Sequence, residues 1–210
     1  MIEITAYNFS DPKFTAIMLY QNIESFLMPF QFKDTLIPDL KIITPQLFSD
    51  QRGVFFETYK KSLFNEHDIK VTFVQENRSV SRKNVMRGLH YQKEPKAQGK
   101  LVSVQSGKIF DVAVDIRKNS PTFGKHKSMV LDGETGTMFW IPPGFAHGFL
   151  SLEDHTTVTY KTTEEYSPNH ERGIFWNDPD LGIEWPHLDV IVNERDSKFP
   201  MLKYADLDDL

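Results

Sequence analysis

Residues 136–149 read GTMFWIPPGFAHGF. A glycine opens the stretch, Met138 to Ile141 form a short apolar run, Pro142-Pro143-Gly144 breaks it, and a second apolar run carries His147. Proline presets φ for a turn, and glycine removes the steric cost of completing it. The stretch predicts a strand, a tight turn and a second strand that delivers an imidazole near its start.

The same grammar extends in both directions. KIITPQLF (41–48), GVFFETY (53–59), VTFVQENRSVS (71–81), VMRGLHYQ (85–92), KLVSVQSG (100–107), KIFDVAVDIR (108–117), KSMVLD (127–132) and TTVTYKTTEEY (156–166) are short and rich in β-branched and aromatic residues. DQRG, QSGK, NSPTFG and DGETG punctuate them. Short strands at regular spacing with turn signals between them predict an all-β sandwich or barrel from about Leu36 onward. Only KKSLFNEHD (60–68) reads as helix within this block. In KIFDVAVDI, Phe110, Val112, Val114 and Ile116 share one face, and Asp111, Ala113 and Asp115 share the other. Two carboxylates on one face suit solvent or a polar cavity, and the expectation is that at least one is solvated. Residues 1–31 lack this pattern and are assigned as an N-terminal extension, with a short helix over Thr15–Phe26 between Pro12 and Pro29 and with Met28 as an alternative start. The domain is assigned to 32–204, with an irregular segment from WNDPDLGIEWP (176–186) onward and a tail at 205–210.

Composition narrows the function classes. Hydrophobic residues make up 40% of the 210 and Phe alone accounts for 17 of them, enough for an aromatic-rich core. The net charge of −5 argues against nucleic acid as a partner but permits a local basic pocket for a small anion. There are no cysteines, which rules out disulfides and thiolate chemistry. The start carries no basic region followed by an apolar core, and no apolar run approaches the ~18 residues of a membrane helix. The expectation is a cytoplasmic protein with no membrane partner.

The 136–149 stretch resembles the second motif of the cupin superfamily, with Ser151 in place of its usual asparagine, and the resemblance implies a jelly-roll barrel. Metal-binding cupins pair this motif with an earlier one carrying two histidines one residue apart, followed by a glutamate. Here that place holds RGLHYQKE, in which His90 is present but Gln92 stands where the second histidine belongs. Gln is a weak ligand for transition metals, so the expectation is no metal. A site made of His90, His147 and Glu94 is the alternative.

A lone histidine is ordinarily a core or surface residue. His90, however, has Arg87 beside it, Lys100 one hairpin later, Tyr160 in a period-2 strand, and His147 at the mouth of the same kind of barrel. Small barrels hold ligands inside, and this set suits an anionic substrate with a carbonyl. On a straight strand Arg87 and His90 would face opposite ways. Gly88 between them predicts a bulge that turns both inward.

DQRGVFFE (50–57), FVQEN (73–77), NVMRGLHYQ (84–92), AQGKLVSV (97–104), GKIFDVAVDIRKNSPTFG (107–124), WIPPGFAHGF (140–149), YKTTEEYSP (160–168) and WNDPDLGIEWP (176–186) occur in the order and near the spacing of the dTDP-4-dehydrorhamnose 3,5-epimerase family, which the chain resembles from Thr35 to Leu202. The resemblance implies a homodimer that inverts C3 and C5 of dTDP-4-dehydro-6-deoxy-D-glucose without metal or cofactor. It implies that His90 is the general base and Asp196 its dyad partner, that Tyr160 is the general acid, and that Lys100 and His147 surround the sugar and phosphates. Arg87 matches a diphosphate ligand. Arg52, Glu57, Gln75, Asn77 and Glu171 match nucleotide contacts, some contributed by the partner chain. Arg195 stands where the family has lysine, and Glu165 where a tyrosine is common, while Tyr166 keeps the second aromatic.

The chemistry gives these residue types a reason to converge. A hydrogen beside a ketone leaves only if a base takes it and the enolate is stabilised. Imidazole suits the base near neutral pH, a buried carboxylate fixes its tautomer, and an ammonium can hold the oxyanion. Two alternatives stand beside this one. The first is a 3-epimerase or ketoisomerase on a related dTDP-4-keto-6-deoxy sugar, and the second a non-catalytic sugar-nucleotide or metal-binding cupin.

Overall fold

The computed structural model describes residues 28–208. The helix expected at Thr15–Phe26 lies outside the described residues. Thirteen strands and two short helices follow, in the order β1 (Phe30–Asp34), β2 (Lys41–Pro45), β3 (Phe48–Asp50), β4 (Gly53–Phe55), α1 (Lys61–Glu66), β5 (Gln75–Ser81), β6 (Met86–Gln92), β7 (Lys100–Ser106), β8 (Lys108–Asp115), β9 (His126–Asp132), β10 (Met138–Ile141), β11 (Phe145–Ser151), β12 (Thr156–Thr162), β13 (Glu171–Gly173) and α2 (Glu194–Ser197). One sheet has the order β1-β2-β10-β7-β12-β5 and the second β13-β6-β11-β8-β9, and β3 and β4 form a separate ribbon. All these pairings are antiparallel, the arrangement of a jelly roll.

Strand periodicity builds three apolar layers. Val102, Val104, Phe139, Ile141 and Val158 from the first sheet meet Ile109, Ala113, Leu131, Phe145 and Phe149 from the second. The outer face of the first sheet is covered by Phe64 of α1, which packs with Phe30, Ile43, Leu101 and Trp140. The outer face of the second sheet (Met86, Leu89, Tyr91, Val112, Val114, Leu150) is covered by Ile174, Trp176, Leu181, Trp185 and Leu207 of the C-terminal segment.

That last layer corrects the expectation for β8. The face assignment holds, but the C-terminal segment seals the apolar face, so the acidic face turns into the sandwich. Asp111 and Asp115 are both fully buried. Asp115 accepts hydrogen bonds from Arg117 (2.9 and 2.8 Å), Ser120 (2.6 Å) and Thr122 (2.6 Å). These bonds outweigh its burial and hold its pKa down at about 2. A buried charge survives when paired and hydrogen-bonded in this way.

The strand β1 begins at Phe30, inside the segment assigned to the extension, and its first residue is buried. The tail is likewise tied down: Tyr91 donates to the Asp206 carbonyl at 2.7 Å, and the Asp206 carboxylate meets Lys93 and Arg172. No helix among the described residues is long and apolar enough to cross a membrane.

Candidate active site

The strand β6 runs along the inside of the barrel with a bulge where Gly88 predicts one. His90 pairs with His147 in register but Arg87 pairs with Phe149, so β6 spends one extra residue between them. Gly88 has φ +114°, and a Cβ there would lie 2.6 Å from both Gly148 Cα and His147 O. Neither the dihedral nor the spacing admits a side chain. The bulge has two effects. Arg87 and His90 both line one cavity. The Gly88 N–H, displaced from the ladder, donates to Asp196 Oδ2 at 3.1 Å.

Asp196 is fully buried on α2, where its N–H is capped by Asn193 Oδ1 at 2.6 Å. Its Oδ1 lies 3.0 Å from His90 Nε2 and 3.3 Å from Arg195 Nε. Burial alone would raise the Asp196 pKa. The hydrogen bond and charge of His90, the Gly88 amide and the Arg195 charge overcome it and leave the carboxyl below its usual range. The imidazole is seated from the other side by Phe199, whose ring meets it edge-on at 5.6 Å. Gly173 makes room for that ring, since a Cβ at 173 would fall 2.2 Å from it.

The cavity measures about 350 Å³ and is walled by both sheets. Gln75, Asn77, Arg87, His90, Lys100, His147, Tyr160, Glu171, Arg195 and Asp196 all line it. His90 and His147 reach it from the five-stranded sheet, Lys100 and Tyr160 from the six-stranded sheet. Lys100 is almost completely buried, and its Nζ donates to the His90 carbonyl at 3.2 Å. Burial pulls its ammonium down to about 8, against the opposing pull of Glu171 and Asp111. Burial pushes the Tyr160 phenol up, opposed by Arg87 and aided by Glu171, so it keeps its proton at neutral pH. Arg195 bridges Glu171 and Asp196 with one guanidinium, and its Nη2 lies 3.4 Å from His90 Nε2. A lysine's single ammonium could not span these positions as a planar fork does.

Two expected residues are not in this cavity. Arg52 sits on the β3–β4 ribbon and pairs with Asp50. Glu57 follows that ribbon and keeps a buried Oε2 without a hydrogen-bond partner. The ribbon itself displays Phe48 (51% exposed), Val54 (57%) and Phe55 (69%).

Some residues of the site escape sequence reasoning. Asp111 holds His147 through Oδ1 at 2.8 Å, which makes a second buried His–carboxylate pair. The register puts Asp111 opposite Phe149, on the same face as His147 and one diagonal step from it, which is visible only once the pairing is known. Phe199 and Gly173 leave no local signal. Asn193 does leave one, because Asn three residues before Asp is a helix-start pattern. Among the described residues no group of three or more His, Asp or Glu is placed to hold a metal ion. Each candidate ligand is otherwise engaged: His90 by Asp196, His147 by Asp111, while Glu94 lines a separate groove with Arg117 and Lys118.

Comparison with known proteins agrees with this geometry. The family model described as dTDP-4-dehydrorhamnose 3,5-epimerase matches residues 34–204. A dTDP-4-dehydrorhamnose 3,5-epimerase of Salmonella typhimurium is 50% identical over 173 residues, 81% of this chain and 94% of the relative. The crystal structure of a dTDP-6-deoxy-D-glucose-3,5-epimerase from Legionella pneumophila, in complex with dTDP-4-keto-L-rhamnose, superposes with a TM-score of 0.81 at 45% identity over 83% of this chain and 94% of that one. A 3'-monoepimerase from Streptomyces bikiniensis in complex with dTDP-quinovose gives a TM-score of 0.77 at 32% identity over 80% of this chain and 86% of that one. The chain belongs to the dTDP-4-dehydrorhamnose 3,5-epimerase family and is an isomerase.

Proposed function

We propose that the chain inverts C3 and C5 of dTDP-4-dehydro-6-deoxy-D-glucose to give dTDP-4-dehydro-L-rhamnose, with His90 as base and Tyr160 as acid. The observation that carries this reading is the convergence of an imidazole anchored on a carboxylate, a buried ammonium and a protonated phenol on one cavity, the first and last from opposite sheets. With Nε2–H donating to Asp196, His90 keeps a lone pair on Nδ1 and removes the proton beside the ketone. The resulting imidazolium is stabilised by Asp196. Negative charge gathers on the C4 oxygen, where the Lys100 ammonium holds it in a site sheltered from water. Tyr160 returns a proton from the opposite face, which inverts the centre. Arg87 clamps the diphosphate, and that remote binding holds the ring against the reacting groups. His147, fixed by Asp111 through Nε2, packs against the sugar.

The higher identity to 3,5-epimerases than to the 3'-monoepimerase favours inversion at both centres. Incubation with the 4-keto sugar in deuterated water tests it. Label at C3 and C5 of the L-sugar is expected; label at C3 alone would replace this reading with a mono-epimerase.

The working unit is a homodimer in the cytoplasm. The exposed apolar ribbon, the unmatched Glu57 oxygen and the placement of Arg52 outside its own cavity support a ribbon that completes the site of a second copy. Sedimentation should give twice the chain mass, and Phe55→Glu should give monomers with weakened nucleotide binding.

The proton inventory makes a pH prediction. Lys100 must be charged to hold the oxyanion, so kcat should fall as pH rises through about 8. Lys100→Arg, which does not titrate in this range, should remove that limb while lowering the rate. An alkaline limb that persists in Lys100→Arg would assign it to another group.

No metal enters these steps. Exhaustive chelation is expected to leave turnover unchanged, and loss with EDTA that a divalent ion restores would require a different mechanism.

A further inference from the structure

The side chain of Gln92 stands where a metal-binding barrel would have its second histidine, and its amide is taken up by backbone groups. Gln92 is 4% exposed. Its Nε2 donates to the Lys96 carbonyl at 2.6 Å and the Glu165 carbonyl at 3.2 Å, and its Oε1 accepts from the Ser167 N–H at 2.8 Å. Both amide protons are thereby used. The segment 163–170 joins β12 to β13 and has no strand ladder over 165–167 to satisfy its backbone. Its next amide in line, Tyr166 N–H, donates to Gln75 Oε1 at 2.9 Å. Two consecutive backbone amides are thus held by two glutamine side chains, one from β5 and one from β6, in opposite sheets. Between them lies Tyr166, which lines the cavity and donates its hydroxyl to Glu171 at 2.8 Å.

We propose that Gln92 is a positioning residue: its amide pins the backbone of residues 165–167 between the two sheets and so fixes Tyr166 as a rigid wall of the cavity. It acts through that segment and touches no reacting atom. The three bonds are made to backbone groups, so they set the path of the chain without regard to which side chains it carries. Leaving them unmade in a buried site is costly, which gives the clamp its stiffness. The part of the proposal that concerns ligand affinity rests on the nucleotide-sugar reading above, whereas the part that concerns the segment does not.

Gln92→Met keeps the length and removes every hydrogen bond. Gln92→Glu keeps an acceptor for Ser167 but turns an anion toward two carbonyls. In the full chain without ligand, amide exchange over 163–168 should quicken about 10-fold in the Met variant, with the rest of β6 unchanged. If the Met variant does not fold, the Glu variant carries the same measurement. Calorimetry with dTDP should show about 10-fold weaker binding, while kcat falls less than about 3-fold, a split that general loss of structure would not produce. The double variant Gln92→Met/Tyr166→Ala should bind dTDP no more weakly than Tyr166→Ala alone, because the clamp has lost what it positions. Unaltered exchange over 163–168, or additive losses in the cycle, would overturn the proposal. Failure of the wild-type chain to bind dTDP would instead strike the nucleotide reading, and the exchange measurement would still decide the role of Gln92.

Discussion

His90→Ala is expected to abolish both deuterium wash-in and epimerisation, a loss of at least about 10⁴-fold, the upper end for a positioned base. No other group is assigned to remove the proton. His147 lines the same cavity, but it is held by Asp111 on β8 and sits on the neighbouring strand, across the ladder from His90. Wash-in at C3 and C5, followed by NMR in deuterated water, separates loss of the base from loss of binding. dTDP affinity should change little, since the base is assigned to the sugar. Asp196→Asn extends the test. Its amide would have to face two donors, His90 Nε2–H and Gly88 N–H, with only one acceptor oxygen. Both contacts survive only if His90 moves its proton to Nδ1, which removes the lone pair assigned as the base, so exchange should slow by about 10²-fold or more. Exchange at the wild-type rate in either variant would remove the dyad from the mechanism.

Tyr160→Phe should separate exchange from inversion. His90 can remove a proton and return a solvent-derived one to the same face, which labels the sugar without changing its configuration. Inversion needs delivery from the other sheet, and Tyr160 is the phenol placed there. The expected loss of epimerisation is about 10²–10⁴-fold, with deuterium entering at C3 faster than the epimer forms. Tyr160 also packs against the inner core. If filling space were its whole role, Phe would be nearly silent, because the ring remains and only the hydroxyl goes. Wild-type inversion by the Phe variant would leave a bound water as the donor.

The barrel was legible because it is written locally. Pro-Pro-Gly at 142–144, the alternation in β8 and the glycine in MRGLHYQ each state a backbone event within a few residues. The strand β13 was not legible: three residues, ERG, become a strand only by pairing with β6. The burial of Asp111 and Asp115 was misjudged for a related reason. The residues that seal the other face of β8, among them Trp185 and Leu207, lie far along the chain and carry no mark of where they dock. Ten of the twelve candidate site residues share one cavity: Arg87, His90, Lys100, His147 and Tyr160 converge on the reading of the residues themselves, whereas Gln75, Asn77, Glu171, Arg195 and Asp196 came from the family resemblance. Arg52 and Glu57, on and after the β3–β4 ribbon, are the two outside it. The bonds of Gln92 were invisible because its partners are backbone amides and carbonyls, which look alike at every position.

The bond between Gly88 and Asp196 spans 108 residues. Both sheets are complete once β13 is made, yet His90 still lacks its carboxylate at that stage. The last piece of the site is supplied by α2, which follows every strand in the chain. A chain clipped ahead of α2 would therefore leave His90 without its carboxylate. The contact ties the base on β6 to a helix that follows every strand of both sheets.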